Sequence, residues 1–406
     1  MSVAEAKTET PENEDRSDDA RSFFRAVVES NGLVVFLAVV AALIVGALLV
    51  VVADKSVQDA AGYFFSRPTD MLSAAWTAVT DAYAAMFQGS IYNLQADSFS
   101  GAIKPLTNSL TFSAPLIFAG LGLGVGFRAG LFNIGAQGQV ILGAILAGFV
   151  GFQFHLPLGI HLALAVIGAI LGGALWGFIP GLLKATTGAH EVIVTIMLNY
   201  VGLYLLAWLL NLESFQAPGS DNPKSPPIDG SAQWPKLLGD NYGLHWGFIA
   251  ALLAAWGVWW LMERSTWGFT FRAVGANPSA ATNAGMNVKL TYVLVMVIAG
   301  TLAGLAGGTQ VLGTEKALTT GIAGSIGFDA ITVALLGRSR PAGIVAAGIL
   351  FGGLRASGPT LQVQANLPID IVLVIQSVIV LFIAAPPLVR FLFRLPSPRL
   401  VKEVTA

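Results

Sequence analysis

The sequence predicts an all-α, polytopic integral membrane protein with about 9–10 transmembrane helices, some of them short or broken. Of its 406 residues, 55% are hydrophobic and 11% are charged, whereas a soluble domain has about 25% charged residues. Runs of about 20 apolar residues recur, and each is long enough to cross a hydrocarbon core about 30 Å thick. Cysteine is absent, which excludes a disulfide framework and thiolate chemistry.

The elements follow from the positions of the apolar runs. Residues 1–30 form an acidic tail with a basic end, predicted to be cytoplasmic and partly disordered. The predicted spans are 33–53, 108–127, 130–152, 158–183, 192–212, 245–262, 290–312, 342–358 and 369–385. The apolar piece 326–337 gives only about 18 Å of helix, so it is either a short buried span or half of a broken helix. These elements make 31–395 the transmembrane domain and 396–406 a cytoplasmic tail.

Two segments connect spans on one side of the membrane. Residues 54–107 contain an amphipathic stretch, Met71 to Phe87, which we expect to lie along the outer surface. Residues 211–244 are rich in Pro, Asp and Ser and are predicted to form a loop.

The distribution of basic residues predicts the orientation. With the N-terminus inside and one crossing per segment, fifteen of the 22 Lys and Arg residues fall on the inner side. The positive-inside rule favours this arrangement. Both termini and the segment 264–289 are then cytoplasmic, in a cell-membrane protein whose segments 54–107 and 211–244 face outside.

The polar segment 264–289 carries a predicted short helix between two long apolar runs. Asn277 suits the N-cap, Pro278 the first helical position and Gly285 the site just past the end. The helix 278–284 would be about 10 Å long, with Ala281 in the middle of an exposed turn. We expect such an element to dock a cytoplasmic partner.

Glycine patterns indicate close helix packing rather than nucleotide binding. Gly300, Gly304 and Gly308 recur at four-residue spacing, as do Gly168 and Gly172, which lets helix backbones approach closely. The run GLGLGVGFRAG lacks the strand–turn–helix setting of a dinucleotide loop, and no glycine precedes a lysine as in a phosphate loop. The four histidines have no metal-ligand spacing. No cofactor, metal or nucleic-acid partner is predicted, and no nucleophile–base arrangement indicates an enzyme.

Polar residues within apolar segments are the candidate site residues, because hydrocarbon tolerates them only in cavities or in pairs. Asn133, Gln137 and Gln139 lie beside two glycines that would allow a helix break exposing backbone amides. The same residues also fit a turn near the inner surface that the amides cap.

Two further clusters leave alternatives open. Phe328 and Asp329 lie in the short apolar piece, where Asp329 is either functional or paired with Arg338 or Arg340. Glu191, Thr195 and Asn199 recur every four residues and share one helix face. Either that face lines the pathway, or His190 and Glu191 are interfacial residues at the start of the helix.

These blocks resemble a known family. FRAGLFNIGAQGQ, GALWGFIPGLLKATTGAHEVIVTIMLNY, FTFRAVGANPSAATNAGMNV, IAGTLAGLAGG and GFDAITVALLGRSRPAGIVAAGILFGGLRASG are similar to the permease subunits of nucleoside-importing ABC transporters. That family belongs to the branched-chain amino acid and ribose permease superfamily. The resemblance runs from about Leu110 to Pro387, and the chain departs from it at Gln137, where the family usually has an acidic residue.

The resemblance implies a transport subunit whose energy comes from partners. These are a cytoplasmic ATP-binding subunit, a second permease subunit that is a paralogue or a copy, and an extracellular substrate-binding lipoprotein. The docking residues are predicted to be Arg272, Gly275, Asn277, Pro278, Ala280, Ala281 and Gly285, and the pathway residues Phe132, Asn133, Gln137, Gln139, Glu191, Thr195, Asn199, Phe328 and Asp329. In the pathway, the amides would bond a nucleoside and Phe132 or Phe328 would stack on its base.

Other classes remain open. A permease for ribose-like sugars or another small solute would share these features. An ion-coupled secondary transporter would need carboxylates deep in the spans, and only Asp329 lies well inside an apolar segment. A stand-alone channel would have no use for a docking helix.

Overall fold

The computed structural model describes residues 31–220, 222–368 and 370–395. The predicted tails 1–30 and 396–406 lie outside the described residues. Within the predicted transmembrane domain, the described chain forms two compact units, residues 31–53 with 373–395, and residues 54–372. The candidate site residues all belong to the second unit.

The described residues form helices connected by loops and turns. They are α1 Asn31–Ala53, α2 Lys55–Ala61, α3 Pro68–Ser90, α4 Phe99–Arg128, α5 Ala136–Gln153, α6 Ile160–Thr187, α7 Glu191–Leu209, α8 Gly247–Arg264, α9 Thr266–Ala276, α10 Pro278–Asn283, α11 Val288–Thr309, α12 Ile326–Leu336, α13 Pro341–Gln364, α14 Asp370–Ala384 and α15 Pro386–Leu392. A π-helical turn, Gln310–Glu315, extends α11, and a single 3₁₀ turn forms at Gly230–Ala232. In the first unit, α1 packs against α15.

The all-α membrane fold is confirmed. Seven described helices are long and apolar enough to cross a membrane, namely α1, α4, α5, α6, α7, α11 with its π-helical turn, and α13. Two shorter apolar helices, α12 and part of α14, accompany them. The predicted span 245–262 corresponds to the 18-residue α8, whose last turn carries Glu263 and Arg264.

Small residues hold the centre of the second unit together. A side chain at Gly300 of α11 would collide with the Gly173 carbonyl of α6. One at Gly307 would collide with the Val140 carbonyl of α5 in the same way. With no side chains between them, the three helices pack backbone to backbone, as the glycine spacing predicts.

The segment 54–107 contains more helix than the sequence indicates. The stretch Met71 to Phe87 lies in α3, whose Gly89 packs so closely on α13 that a Cβ there would lie 2.9 Å from the Ser357 Cα. Helix α4 begins at Phe99 rather than near residue 108, because Ser98 accepts a hydrogen bond from the Gly101 N–H at 3.2 Å and caps it.

The segment 264–289, here called the docking segment for its predicted role, contains the predicted short helix and a second one. Asn277 caps α10 by accepting a hydrogen bond from the Ala280 N–H at 3.0 Å, and Gly285 has a φ of +81°. Helix α9 was not predicted; Ser265 caps it through the Gly268 N–H at 3.0 Å.

The exposure predicted for Ala281 is wrong. Ala281 is only 4% exposed, whereas Ser279, Ala280 and Asn283 on the same helix are exposed. Even a helix of six residues has one side that faces the protein, and Ala281 lies on that side. Just past the helix, the Met286 N–H donates a hydrogen bond to the Ala281 carbonyl at 3.0 Å. The exposed side of α10 is therefore the one that carries Ser279, Ala280 and Asn283.

Candidate functional site

The chain between α4 and α5 is not helical, and this break positions the predicted amide cluster. The Leu131 N–H donates to the Gly126 carbonyl at 2.9 Å, which ends α4, and α5 begins only at Ala136. Asn133 and Gly135 lie in the intervening segment. The predicted span 130–152 therefore starts with a break rather than with helix.

Asn133 and Gln139 close this break with their side chains. The Asn133 amide accepts a hydrogen bond from the Gly135 N–H at 2.9 Å and donates to the Gln139 side-chain oxygen at 3.1 Å. Both residues are 1% exposed. Their amides thus satisfy protein groups at the start of α5, where backbone N–H groups lack helical partners.

The helix face that carries Glu191, Thr195 and Asn199, here called the stripe on α7, packs against the same break. Asn199 accepts from the Gly138 N–H at 2.8 Å and donates to the Ile134 carbonyl at 2.9 Å. A Cβ at Gly135 would lie 2.9 Å from the Thr195 Cβ, so glycine permits this approach. Glu191, at the start of α7, pairs with Lys184 at 2.7 Å. All three stripe residues are buried.

Gln137 connects the break to the beginning of α12. Its side chain donates to the Gly324 carbonyl at 2.7 Å and accepts from the Gly327 N–H at 2.8 Å. The N-termini of two helices, α5 and α12, therefore meet at one half-buried amide. Asn199, which bonds the neighbouring Gly138 N–H, lies eight residues into α7. The meeting point is therefore about 12 Å along α7 from its first residue.

Two of the predicted pathway residues present open aromatic faces. Phe328, next to Gly327, is 52% exposed, and Phe132 is 41% exposed while it stacks on Phe127 with ring centroids 5.0 Å apart. Asp329 accepts a hydrogen bond from the Ser325 hydroxyl at 2.7 Å in the first turn of α12. Arg338 and Arg340, its predicted alternative partners, follow the other end of that helix.

The docking segment is joined to the break through backbone and charge contacts. A Cβ at Gly275 of α9 would lie 2.6 Å from the Arg128 carbonyl, and Gly130, with φ +73°, packs against Gly275. Glu263, at the end of α8, lies 2.7 Å from Arg128 and 3.9 Å from Arg272. Of the predicted docking residues, Arg272 and Gly275 thus face the protein.

Two residues of the site, Glu263 and Ser325, were not predicted from the sequence. Glu263 could be noticed as the acidic residue preceding Arg264 at a span end, but its partner Arg128 is remote in sequence. Ser325 lies four residues before Asp329, a spacing that permits the hydrogen bond once a helix start is placed there.

Most of the predicted transmembrane domain matches a known family model. Residues 106–384 match the model described as "Branched-chain amino acid transport system / permease component". The match runs from within α4 to the end of α14 and so includes both the break and the docking segment.

Curated relatives extend the similarity over most of the chain. The guanosine ABC transporter permease protein NupP of Bacillus subtilis is 38% identical over 89% of this chain and 95% of its own. The nucleoside ABC transporter permease protein NupB of Lactococcus lactis is 35% identical over 75% of this chain and 85% of its own. The glucose ABC transporter permease protein TsgB13 of Haloferax volcanii is 32% identical over 75% of this chain and 80% of its own. No solved structure matches this chain.

Proposed function

Because the chain belongs to the family of branched-chain amino acid transport permease components, we propose that it forms the transmembrane pathway of an ABC importer for nucleosides. Two relatives, at 38% and 35% identity, are named as guanosine and nucleoside permeases. The observation that carries the proposal is the meeting of the α5 and α12 N-termini at Gln137, beside the open ring of Phe328.

This arrangement suits an uncharged solute with hydrogen-bond acceptors. Helix N-termini carry partial positive charge, and broken helices that point their N-termini at a solute are a recurring transport device. Gln137, the side chain at which the two helices meet, is neutral and adds no charge of its own; the carboxylate in the first turn of α12, Asp329, accepts a hydrogen bond from Ser325. The carbonyl and ring-nitrogen acceptors of a nucleobase fit such a field, and the Phe328 ring offers a stacking face.

The predicted pathway residues then divide into two groups. Phe328, Gln137 and Phe132 are accessible and belong to the solute route. Asn133, Gln139, Glu191, Thr195 and Asn199 are buried and fix the geometry of the break. Asp329 is half-buried and accepts a hydrogen bond from Ser325 at the start of α12.

Transport by this chain requires partners. The exposed side of α10 docks a cytoplasmic ATP-binding subunit, which hydrolyses ATP, while an extracellular binding lipoprotein delivers the solute and a second permease subunit completes the pathway. Contact of α9 with the break through Gly275 and Gly130 provides a route from docking to pathway. In this assembly both termini are cytoplasmic.

A sugar is the second candidate solute, because a relative at 32% identity is named as a glucose permease. Uptake of radiolabelled guanosine, cytidine and glucose should be compared in vesicles that contain the complete complex and internal ATP. We expect guanosine or cytidine to be taken up and glucose at a tenfold excess not to compete. Uptake of labelled glucose, without uptake of guanosine or cytidine, would assign the chain to the sugar permeases.

A further inference from the structure

A pocket of about 410 Å³ lies between the loop 210–246 and the π-helical turn of α11, on the face predicted to be extracellular. Its volume falls within the about 300–1,000 Å³ of ligand pockets. Backbone hydrogen bonds fix its walls: the Trp234 N–H donates to the Leu312 carbonyl at 3.1 Å, and the Ile228 N–H to the Lys316 carbonyl at 2.9 Å. The pocket is thus formed before any ligand arrives, and the transport route proposed above does not use it.

His245 presents a fixed N–H group in this pocket. Its Nδ1 accepts a hydrogen bond from the Gly247 N–H at 3.1 Å. Burial, and secondarily the Lys316 ammonium, lowers the pKa of His245 to about 4, so the ring is neutral at physiological pH. The proton of the neutral ring must then sit on Nε2. Although His245 is only 2% exposed, Nε2 has no hydrogen-bond partner among the described residues.

Trp234 adds a second buried donor to the same pocket. Its indole Nε1, which can only donate, is likewise without a hydrogen-bond partner in the described part of the chain. Buried donors in native proteins are almost always satisfied. Two such donors in one pocket therefore indicate a ligand with acceptor atoms.

The charges around the pocket define the ligand further. Lys236 is paired with Asp240, to whose carbonyl it donates at 2.7 Å and whose carboxylate lies 3.7 Å away. With that pair neutralised, Lys316 gives the residues that line the pocket one positive charge in excess. The geometry points to a binding site for a carboxylate group, whose oxygens accept from His245 Nε2–H and Trp234 Nε1–H while Lys316 balances its charge.

A monoanion fits this pocket better than the alternatives. A phosphate dianion would exceed the single uncompensated positive charge, and a neutral solute would leave it unbalanced. Because the pocket is far larger than a carboxylate, the group is borne by a larger body, either a free organic acid or an acidic side chain of the extracellular partner. The site itself does not depend on the transport function proposed above.

Binding can be measured on the full chain in lipid nanodiscs with ¹⁵N-labelled histidine. The chain has four histidines, and His245→Gln identifies the signal of His245. Sodium acetate should shift the His245 Nε2 resonance saturably, whereas sodium chloride at equal ionic strength should not. His155, on the same face and 82% exposed in its side chain, is the internal control for general anion effects.

Two variants test the individual contacts. Lys316→Met changes an exposed residue and should weaken acetate binding about tenfold or more, and Trp234→Phe should weaken it while retaining an aromatic ring. An equal response to chloride, unchanged affinity in Lys316→Met, or tighter binding of phosphate than of acetate would overturn the proposal.

Uptake by the complete complex separates the two sources of the carboxylate. If an acidic side chain of the partner occupies the pocket, Lys316→Met raises the concentration of binding lipoprotein needed for half-maximal uptake. If a free acid occupies the pocket, Lys316→Met leaves the required lipoprotein concentration unchanged, while the unsubstituted chain still binds acetate. Both results support a carboxylate site.

Discussion

At the scale of single residues, buried amides and open aromatic rings have separate roles in the candidate site. Asn199 bonds the backbone at Ile134 in the break and at Gly138 in the first turn of α5, and Asn133 bonds the Gly135 N–H and the Gln139 side chain. Phe328, by contrast, is half exposed on the short helix α12. Solute affinity and folded stability should therefore respond to different substitutions.

Phe328→Ala should weaken solute binding. Loss of a stacking face costs about 1–3 kcal/mol per base, which corresponds to a 5- to 150-fold rise in the half-saturating nucleoside concentration. Initial uptake rates in vesicles with the complete complex measure this rise. Leu335→Ala is the matched control, because Leu335 is 42% exposed on the same helix but cannot stack. Equal effects of the two substitutions would remove Phe328 from the solute route.

Asn199→Ala should lower folded stability by about 1–3 kcal/mol, since it leaves the Gly138 N–H and the Ile134 carbonyl without a partner. The midpoint of unfolding in detergent measures the loss. Asn211→Ala, which removes an exposed amide bonded to the Ala207 carbonyl just past the same helix, should change it little. If Asn199→Ala left stability unchanged but reduced uptake, the amide would contact the solute instead.

At the scale of elements, local signals predicted most of the structure. The bilayer fixes span length, so apolar runs located the long helices, and Asn277, Pro278 and Gly285 located α10. Contacts between distant residues left no such signal. Gln137 and Gly327 are 190 positions apart, and the inward face of Ala281 depends on what lies beneath α10. The Gly275–Gly130 approach was hidden for the same reason.

The docking helix should respond differently on its two sides. Ser279→Glu places a charge on the exposed side of α10 and should reduce nucleoside transported per ATP hydrolysed, with assembly and stability retained. Ala281→Glu buries a charge at a 4% exposed position and should instead lower the amount of folded protein.

Ser66→Glu is the matched control, because Ser66 is exposed in the segment predicted to lie outside. Normal coupling in Ser279→Glu, together with impaired coupling in Ser66→Glu, would reverse the predicted orientation. Normal coupling in both variants would remove α10 from the docking surface.

At the scale of the whole molecule, the proposed function makes the chain a pathway whose transport is driven by a partner. Its sequence has no phosphate loop, and its relatives are subunits of ABC transporters. In the site, the carboxylate of Asp329 accepts a hydrogen bond from Ser325. The proposed function therefore predicts transport that is driven by ATP on a partner, and Asp329 is the carboxylate at which an ion-coupled alternative can be tested.

A protonophore should leave initial nucleoside uptake largely intact in vesicles with internal ATP, and ATP depletion should abolish it. Asp329→Asn should retain insensitivity to the protonophore, because the amide oxygen can still accept from Ser325. Collapse of uptake with the proton gradient at constant ATP, reproduced by Asp329→Asn, would make Asp329 a proton site and favour a secondary transporter.

The backbone packing among α5, α6 and α11 also restricts how such a pathway can open. Gly300 meets the Gly173 carbonyl and Gly307 meets the Val140 carbonyl, so rotation of any one helix about its axis would drive a neighbouring side chain into backbone. We therefore expect these three helices to move together as one rigid body. Any opening of the pathway is then expected at the edges of this three-helix group rather than within it.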